Sequence, residues 1–424
     1  MERFYHAHKI DLTKCQGHRR CMRRCPTEAI RIRGGKAMVI EDLCVDCGDC
    51  MAVCKSEAIV PISDPLNEIH GRVYKVAVPS SVLYSQFDPG IHPYIIHLAF
   101  KELGFDEVVD TSPSCSALAM AYVKYMEQSS KRRPLIAIDC PAITRLIQVK
   151  YPALVELISP LDIPREVTAR AIRTEFPAKL GLKPEDIAII YVSPCPAKIV
   201  SIKQPAEKAQ SWFDGAISIR DVYSLLLPHV VTIKSRFDAS RVPEGFCFNV
   251  GWAVLGGLAG EVRKENWLAV SGMDHVMKIL DDIENSRLRN VDFVEAFACM
   301  LGCVGGPLNI ENPYVSRMNS IKQRERYQRH TDVDTAAITR KIGDGYYFLE
   351  NPILPRPTKY FDTDLETSIK RMKESERVLQ KLPQTDCGCC GAPTCTAFAE
   401  DLVRGEADLS DCILLGGGDR VHGG

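Results

Sequence analysis

The eighteen cysteines of this 424-residue chain are spread so unevenly that they constrain its fold more than any other feature. Seven fall between Cys15 and Cys54 and five between Cys387 and Cys412. A disulfide scaffold is small and loop-rich, whereas clustered thiols in a long chain bind metal more readily than they cross-link. The opening residues MERFYHAHKIDL lack the basic start, apolar core and cleavage site of a secretory leader, so a cytoplasmic location with reduced thiols is expected. A formal net charge of -1 with 25% charged residues offers no basic face for nucleic acid or an acidic membrane surface. No apolar run approaches the ~20 residues of a membrane span.

Residues 44–54 read Cys44-x2-Cys47-x2-Cys50-x3-Cys54, with close spacing that puts three sulfurs on one tight loop. Soft thiolates suit iron–sulfur clusters, and in this run the last cysteine serves the neighbouring cluster. The preceding segment repeats the pattern as Cys15-x2-His18-x2-Cys21-x3-Cys25-Pro26, with His18 where a cysteine belongs. A strand-like stretch follows each run, Ala29–Ile32 and Ala58–Val60. The internal repeat favours a pseudo-symmetric cluster domain over a zinc knuckle. It resembles a two-[4Fe–4S] ferredoxin. By that resemblance one cluster takes Cys15, Cys21, Cys54 and His18, and the other Cys44, Cys47, Cys50 and Cys25. His18 as a ligand would raise the cluster potential, since imidazole removes negative charge; the alternative is a surface His beside a three-cysteine cluster. Arg19, Arg20, Arg23 and Arg24 read either as a docking patch for an acidic partner or as a solvated loop face.

Near the other end, Cys387, Cys390, Cys395 and Cys412 are spaced x2, x4 and x16, with glycines that let backbone N–H groups approach a metal centre. This stretch resembles a small [4Fe–4S] module of electron-transfer and corrinoid proteins, with zinc as the alternative and Cys389 as a neighbour. Residues 364–382 read as an exposed helix ending before Pro383. The glycine-rich end, 416–424, reads as a disordered tail.

Between these segments, short apolar runs alternate with amphipathic stretches. Residues 73–78, 107–110, 135–139 and 187–192 read as buried strands; 91–103, 115–128, 142–150 and 165–176 read as helices. Such alternation specifies α/β layers with mainly parallel sheets, whose sites form at the carboxyl ends of strands. Pro79-Ser80, Asp139-Cys140 and Ser193-Pro194-Cys195 each follow a strand end.

These loops, with Glu295-Ala-Phe297-Ala-Cys299-Met-Leu-Gly-Cys303-Val-Gly-Gly306, resemble the active-site domain of an [FeFe]-hydrogenase. That family carries Thr-Ser-Cys-Cys-Pro, Met-Pro-Cys-x2-Lys and Glu-x-Met-Ala-Cys-x3-Cys in the same order. The resemblance implies a two-lobed domain over 72–362, a ferredoxin-like domain over 1–71, a linker helix over 363–382 and a cluster module over 383–415. It also implies an H-cluster. Cys140, Cys195, Cys299 and Cys303 would hold its cubane, and Cys303 would bridge to a di-iron subcluster bearing CO, cyanide and an azadithiolate bridge. Lys198 would donate to a cyanide, Pro79 and Ser80 would line the dithiolate, and three further [4Fe–4S] clusters would relay electrons. The implied partners are H2, protons and a redox or signalling protein such as a ferredoxin; a homodimer is compatible with this.

The departures from the family pattern are specific. Its proton-shuttling cysteine is Asp139 here, which either relays protons or caps the helix starting at Pro141. The two relay glutamates fall on Tyr122 and Tyr125, the methionines over the di-iron unit become Ser193 and Phe297, and a cyanide-holding Gln aligns near Arg165. Such departures resemble the sensory branches of the family. An alternative is a hydrogenase-like electron-transfer or assembly protein without di-iron. Cys115 and Cys247 fit no ligand set and read as buried free thiols. Protein reconstituted without a di-iron unit is expected to bind about sixteen irons per chain; a content near about twelve would remove one cluster, with the His18 set the first suspect.

Overall fold

The computed structural model describes residues 4–66, 72–129, 133–244, 246, 248, 250–262, 266–327, 334–356 and 364–415. Cys247 and the glycine-rich tail lie outside them. The chain forms two compact units, one of residues 62–355 and one in which residues 1–61 join residues 356–424. The N- and C-terminal cysteine segments, read separately in the sequence, therefore share one unit.

Within that unit, β1 (His8–Ile10) pairs antiparallel with β4 (Ile59–Pro61). β2 (Ile30–Arg33) and β3 (Lys36–Val39) make a hairpin closed by Gly34-Gly35, both at positive φ, as a tight two-residue turn requires. The C-terminal module is built on helices Leu365–Leu379 and Cys395–Val403, which pack together through Val378, Leu379, Leu382, Phe398 and Leu402. It meets the hairpin directly. The Ile32 N–H donates to the Gly391 carbonyl at 2.8 Å, and the Arg31 guanidinium donates to Asp401 at 2.7 Å. Arg33 and Arg404 also reach Asp401, whose side chain is fully buried. A Cβ on Gly391 would stand 2.0 Å from the Ile32 carbonyl oxygen, so only glycine permits this approach.

The other unit holds two parallel sheets. One has the order β6 (Glu107–Val108), β5 (Tyr74–Pro79), β8 (Ile187–Ser193), β9 (Gly215–Ser218). The other has the order β10 (Trp267–Ser271), β11 (Phe293–Phe297), β7 (Leu135–Ile136). The four strands expected from the sequence are present, two of them shorter than expected; β9, β10 and β11 are additional. Helices Pro93–Glu102, Ser112–Gln128, Pro141–Lys150 and Pro164–Leu180 stand where the periodicity puts them. Strand β8 is buried along its whole length, as a central parallel strand covered on both faces must be. No helix among the described residues is long and apolar enough to cross a membrane.

The unit also buries charge. The Lys208 ammonium is fully buried, 3.2 Å from Asp162 and 3.5 Å from Glu166, and Ser211 and the Trp212 N–H donate to Glu166. Burial pushes the Asp162 carboxyl up and Lys208 opposes it. Lys208→Ala would remove the buried cation between Asp162 and Glu166, leaving Asp162 only the Arg170 guanidinium at 3.5 Å, at an expected cost of about 3–5 kcal/mol. A urea-unfolding midpoint unchanged by this substitution would show that the network does not hold the fold.

Candidate active site and cluster sites

Four strand ends of the parallel sheets supply the central site. β5 ends at Pro79, and the Ser80 N–H donates to Val192 in β8 at 3.1 Å, tying two loops together. β8 ends at Ser193, after which Cys195 precedes helix Pro196–Lys203 with Lys198 in its first turn. Asp139-Cys140 follows β7, and helix Pro141–Lys150 starts at the next residue. β11 runs into Ala298, whose N–H approaches the Cys140 Sγ at 3.5 Å, laying the Cys299 loop against the Cys140 loop. The Cys303 N–H donates to Ala253 at 2.8 Å. Gly306 is compulsory beside it, because a Cβ there would stand 2.4 Å from the Pro194 carbonyl oxygen.

Cys140, Cys195 and Cys303 are buried and feel one another's charge. Burial pushes the Cys140 thiol up and Cys195 up to about 12, with Lys198 pulling both down. Burial works against the Lys198 ammonium too, but the sulfur of Cys303 and the Tyr191 hydroxyl outweigh it and hold the charge above its ordinary range. Lys198, Arg165, Asp139, Ser80, Phe297 and Cys303 share the wall of a cavity of ≈ 40 Å³. Arg165 is 4% exposed; its Nη2 donates to Ser201 at 2.6 Å, and its Nε has no partner among the described residues. Two buried cations facing a set of thiols fit an anionic metal group anchored by thiolate.

Asp139 does not cap the following helix. Cys140 occupies the N-cap position without a side-chain cap bond, and the Asp139 carboxylate instead accepts from the Trp252 indole N–H at 2.7 Å. Burial raises Asp139, while Trp252, Lys198 and Arg165 oppose the rise. Ser80 and Phe297 line the cavity, whereas the Ser193 hydroxyl turns back to the Cys195 carbonyl at 2.8 Å. The carbonyl of Pro194 accepts from Leu308 at 3.0 Å. Cys115 is buried in a hydrophobic cluster, as read, and it also stands on the cavity wall. Tyr122 lies against Asp139 and Ser159. Trp252, Thr111 and Tyr191 are cavity residues that the sequence did not single out.

In the other unit the cysteines sort by proximity. Cys21 feels Cys15 and Cys54, while Cys25, Cys44, Cys47 and Cys50 feel one another, Cys50 feeling Cys21 as well. Backbone N–H groups point at sulfur in both repeats: Ala29 to Cys25 at 3.2 Å, Ala58 to Cys54 at 3.4 Å and Ala37 to Cys15 at 3.3 Å. Such bonds stabilise anionic sulfur and fit clusters ligated across the repeat. His18 is exposed, while Cys15 and Cys21 are buried. A feature missed in the sequence is Asp46, which accepts from or bonds to His6 at 2.8 Å and His8 at 3.1 Å, with His6 and Asp46 close to Cys44. Burial would raise the Asp46 carboxyl, but the two histidines hold it well below the carboxylate range. In the C-terminal module Cys390 feels Cys387 and Cys412, and the Cys395 N–H donates to Asp386 at 2.7 Å.

Comparison with known proteins covers the segments that carry these residues. The family described as iron only hydrogenase large subunit, C-terminal domain, matches residues 76–247 and 254–307. A 4Fe-4S dicluster domain matches residues 7–55, and an Fe-S cluster family matches 382–414. Iron hydrogenase 1 of Clostridium pasteurianum is 20% identical over 254 residues, covering 50% of this chain and 44% of that protein. The NADP-reducing hydrogenase subunit HndD of Solidesulfovibrio fructosivorans is 23% identical over 383 residues, covering 70% of this chain and 63% of that protein. The chain thus spans roughly half to two thirds of these relatives' lengths. Among solved structures, an apo variant of the [FeFe]-hydrogenase HydA1 from Chlamydomonas reinhardtii aligns with a TM-score of 0.50 at 14% identity, over 70% of this chain and 97% of that one, a likeness of fold.

One carboxyl sets a testable pH dependence. Glu295 on β11 is 1% exposed; one oxygen accepts from the Ala259 N–H at 2.9 Å and the other has no partner among the described residues. Burial, helped by the charge of Asp139, pushes it up to about 8. A carboxyl raised in the folded state keeps its proton where the unfolded chain has lost it, so its stability contribution is full below about pH 4 and declines up to about pH 8. Glu295→Gln is expected to remove a decline of roughly a few kcal/mol across that window. Parallel stability–pH curves for the two proteins would refute this.

Proposed function

The chain belongs to the iron-only hydrogenase large-subunit family, and on that premise we propose that it interconverts H2 with protons and electrons at the cavity beside Cys303. The observation that carries the proposal is the fully charged Lys198, buried on the same wall as Cys303 with Arg165 as a second cation. A cubane site that only passed electrons would have no use for two buried cations beside it. Cys140, Cys195, Cys299 and Cys303 would hold the cubane, and a di-iron subcluster bridged through Cys303 would supply the metal chemistry of H2. The residues of the chain would do the rest. Lys198 and Arg165 donate to anionic ligands and orient them. Phe297 and Ser80 exclude bulk water and shape the cavity. Asp139 holds a proton at Oδ1 or Oδ2 with Trp252 fixing its position, and its raised carboxyl is better matched to neutral pH than a free one.

Cys25, Cys44, Cys47 and Cys50 would hold one accessory cluster. Cys15, Cys21 and Cys54, with His18 as the fourth ligand, would hold another, and Cys387, Cys390, Cys395 and Cys412 a third. Asp139 and the tyrosines at 122 and 125 stand where relatives are expected to carry faster proton carriers. This favours a slow, H2-sensing protein that signals through a redox partner in the cytoplasm.

Infrared spectroscopy after maturation tests the proposal, because bound CO and cyanide absorb where protein does not. Carbonyl and cyanide bands are expected in the wild type and should vanish in Lys198→Ala, while the central cubane's electron paramagnetic resonance signal stays. A matured wild-type protein without such bands would make this a cluster protein of electron transfer or assembly. Normal bands in Lys198→Ala would remove the role given to the lysine.

A further inference from the structure

We propose that the buried hydrogen-bonded chain His97–Tyr84–Asp110 conducts protons to the cavity, with Cys115 as the last group before it. This rests on the reading that the cavity handles protons, and it gives that reading a route. The Tyr84 hydroxyl lies 2.8 Å from His97 Nε2 and 3.1 Å from Asp110 Oδ2. All three side chains are almost wholly buried, and Tyr84 is fully so. The wall of the cavity begins at the next residue: Thr111 and Cys115 line it, as do Ser80 and Ser81 just before Tyr84. Helix Ser112–Gln128 starts on the Asp110 carboxylate, which accepts from the Ser112 N–H at 2.8 Å and from the Ser112 hydroxyl. Cys115 is one turn further on and feels the charge of Asp110, Glu261 and Asp139.

A tyrosine hydroxyl has one proton and two neighbours here, so the chain has two states. With Asp110 ionised, Tyr84 donates to Asp110 and the His97 Nε2–H donates to Tyr84. With Asp110 protonated, Asp110 donates to Tyr84 and Tyr84 donates to His97. Passing from the first state to the second moves one proton from His97 Nε2 to Asp110, with no heavy-atom bond made or broken. For inward conduction, His97 first takes a proton on Nδ1. Asp110 then replaces the proton that the Cys115 thiol has delivered to the cavity; return of the His97 proton from Nδ1 to Nε2 and a turn of the Tyr84 hydroxyl back toward Asp110 restore the first state, and the net transfer is one proton inward. Outward conduction reverses each step.

The surroundings suit the two ends to different tasks. Burial pushes the Asp110 carboxyl up to about 6, against the hydrogen bonds from Ser112 and Tyr84. Among the described residues, only Ser112 and Tyr84 act against that burial. Burial, with Lys101 and His92 on its own helix, lowers His97 to about 3, and the rings of Tyr94 and Phe246 cover it. His97 is therefore neutral at rest and charged only in passing, and Asp110 is the storage point near neutrality.

The first test needs no metal. In unmatured protein the protonated carboxyl of Asp110 is expected as an infrared C=O band that fades as pH rises through about 6 and is missing in Asp110→Asn. In matured protein, Asp110→Asn and Tyr84→Phe should each lower H2 turnover about a hundredfold and flatten its acid limb, with carbonyl and cyanide bands unchanged. Cys115→Ser should lower turnover with the same bands and the same carboxyl titration. If Asp110→Asn does not fold, Tyr84→Phe, which deletes one hydroxyl, decides. Wild-type turnover and pH profile in Tyr84→Phe would overturn the inference while leaving the hydrogenase reading intact. Absence of carbonyl bands in the matured wild type would sink that reading, and with it the destination of the protons.

Discussion

The Lys198 ammonium sits in the first turn of a helix, where the peptide dipoles already present positive ends and another cation is unwelcome. It is also almost completely withdrawn from water. A charge so placed needs sulfur anions or their metal complexes around it, or the fold would discard it. The rest of residues 62–355 meets that need. β8 is buried end to end so that its last residues hold the Cys195–Lys198 turn rigid. The Cys303 loop is drawn in against Pro194 by a glycine, and the Cys140 and Cys299 loops are pinned together by an N–H to sulfur contact. Four loops from two separate sheets converge because one cation and a few thiols cannot be buried separately.

What the sequence made legible was local. Spacings such as Cys44-x2-Cys47-x2-Cys50 put ligands on one loop and can be read without a fold. Strands such as Ile187–Ser193 are unbroken apolar runs. β11 was missed as a strand because Glu295 interrupts its apolar pattern, and only burial against Ala259 explains a carboxyl there. The partner of Asp139 is Trp252, 113 residues away, and no spacing announces it. Because that bond was invisible, the carboxylate could be taken for a helix cap. His97, Tyr84 and Asp110 share no motif either; they come from a helix, a short 3-10 turn and a strand end, and only packing makes them a chain. Cys115 reaches the cavity wall from within a hydrophobic cluster, and only packing shows that edge.

The cluster segments show the same division between near and far. Each set of cysteines is readable in its own stretch, and the N–H to sulfur bonds of Ala29 and Ala58 repeat at matching positions after Cys25 and Cys54. Their association is not readable. Arg31 and Asp401 are 370 residues apart, and their pairing decides that the last segment belongs with the first.

That pairing imposes an order on biosynthesis. Residues 1–61 leave the ribosome long before Asp401 is made, and until then Arg31 and Arg33 have no buried counter-charge and the hairpin lacks the Gly391 carbonyl that accepts from Ile32. The cysteines between Cys15 and Cys54 must therefore wait through the translation of residues 62–355 before their own unit can close. A chain released early would carry a complete set of hydrogenase loops and an unfinished cluster unit. That unit closes only once Asp401 can reach Arg31 and Arg33.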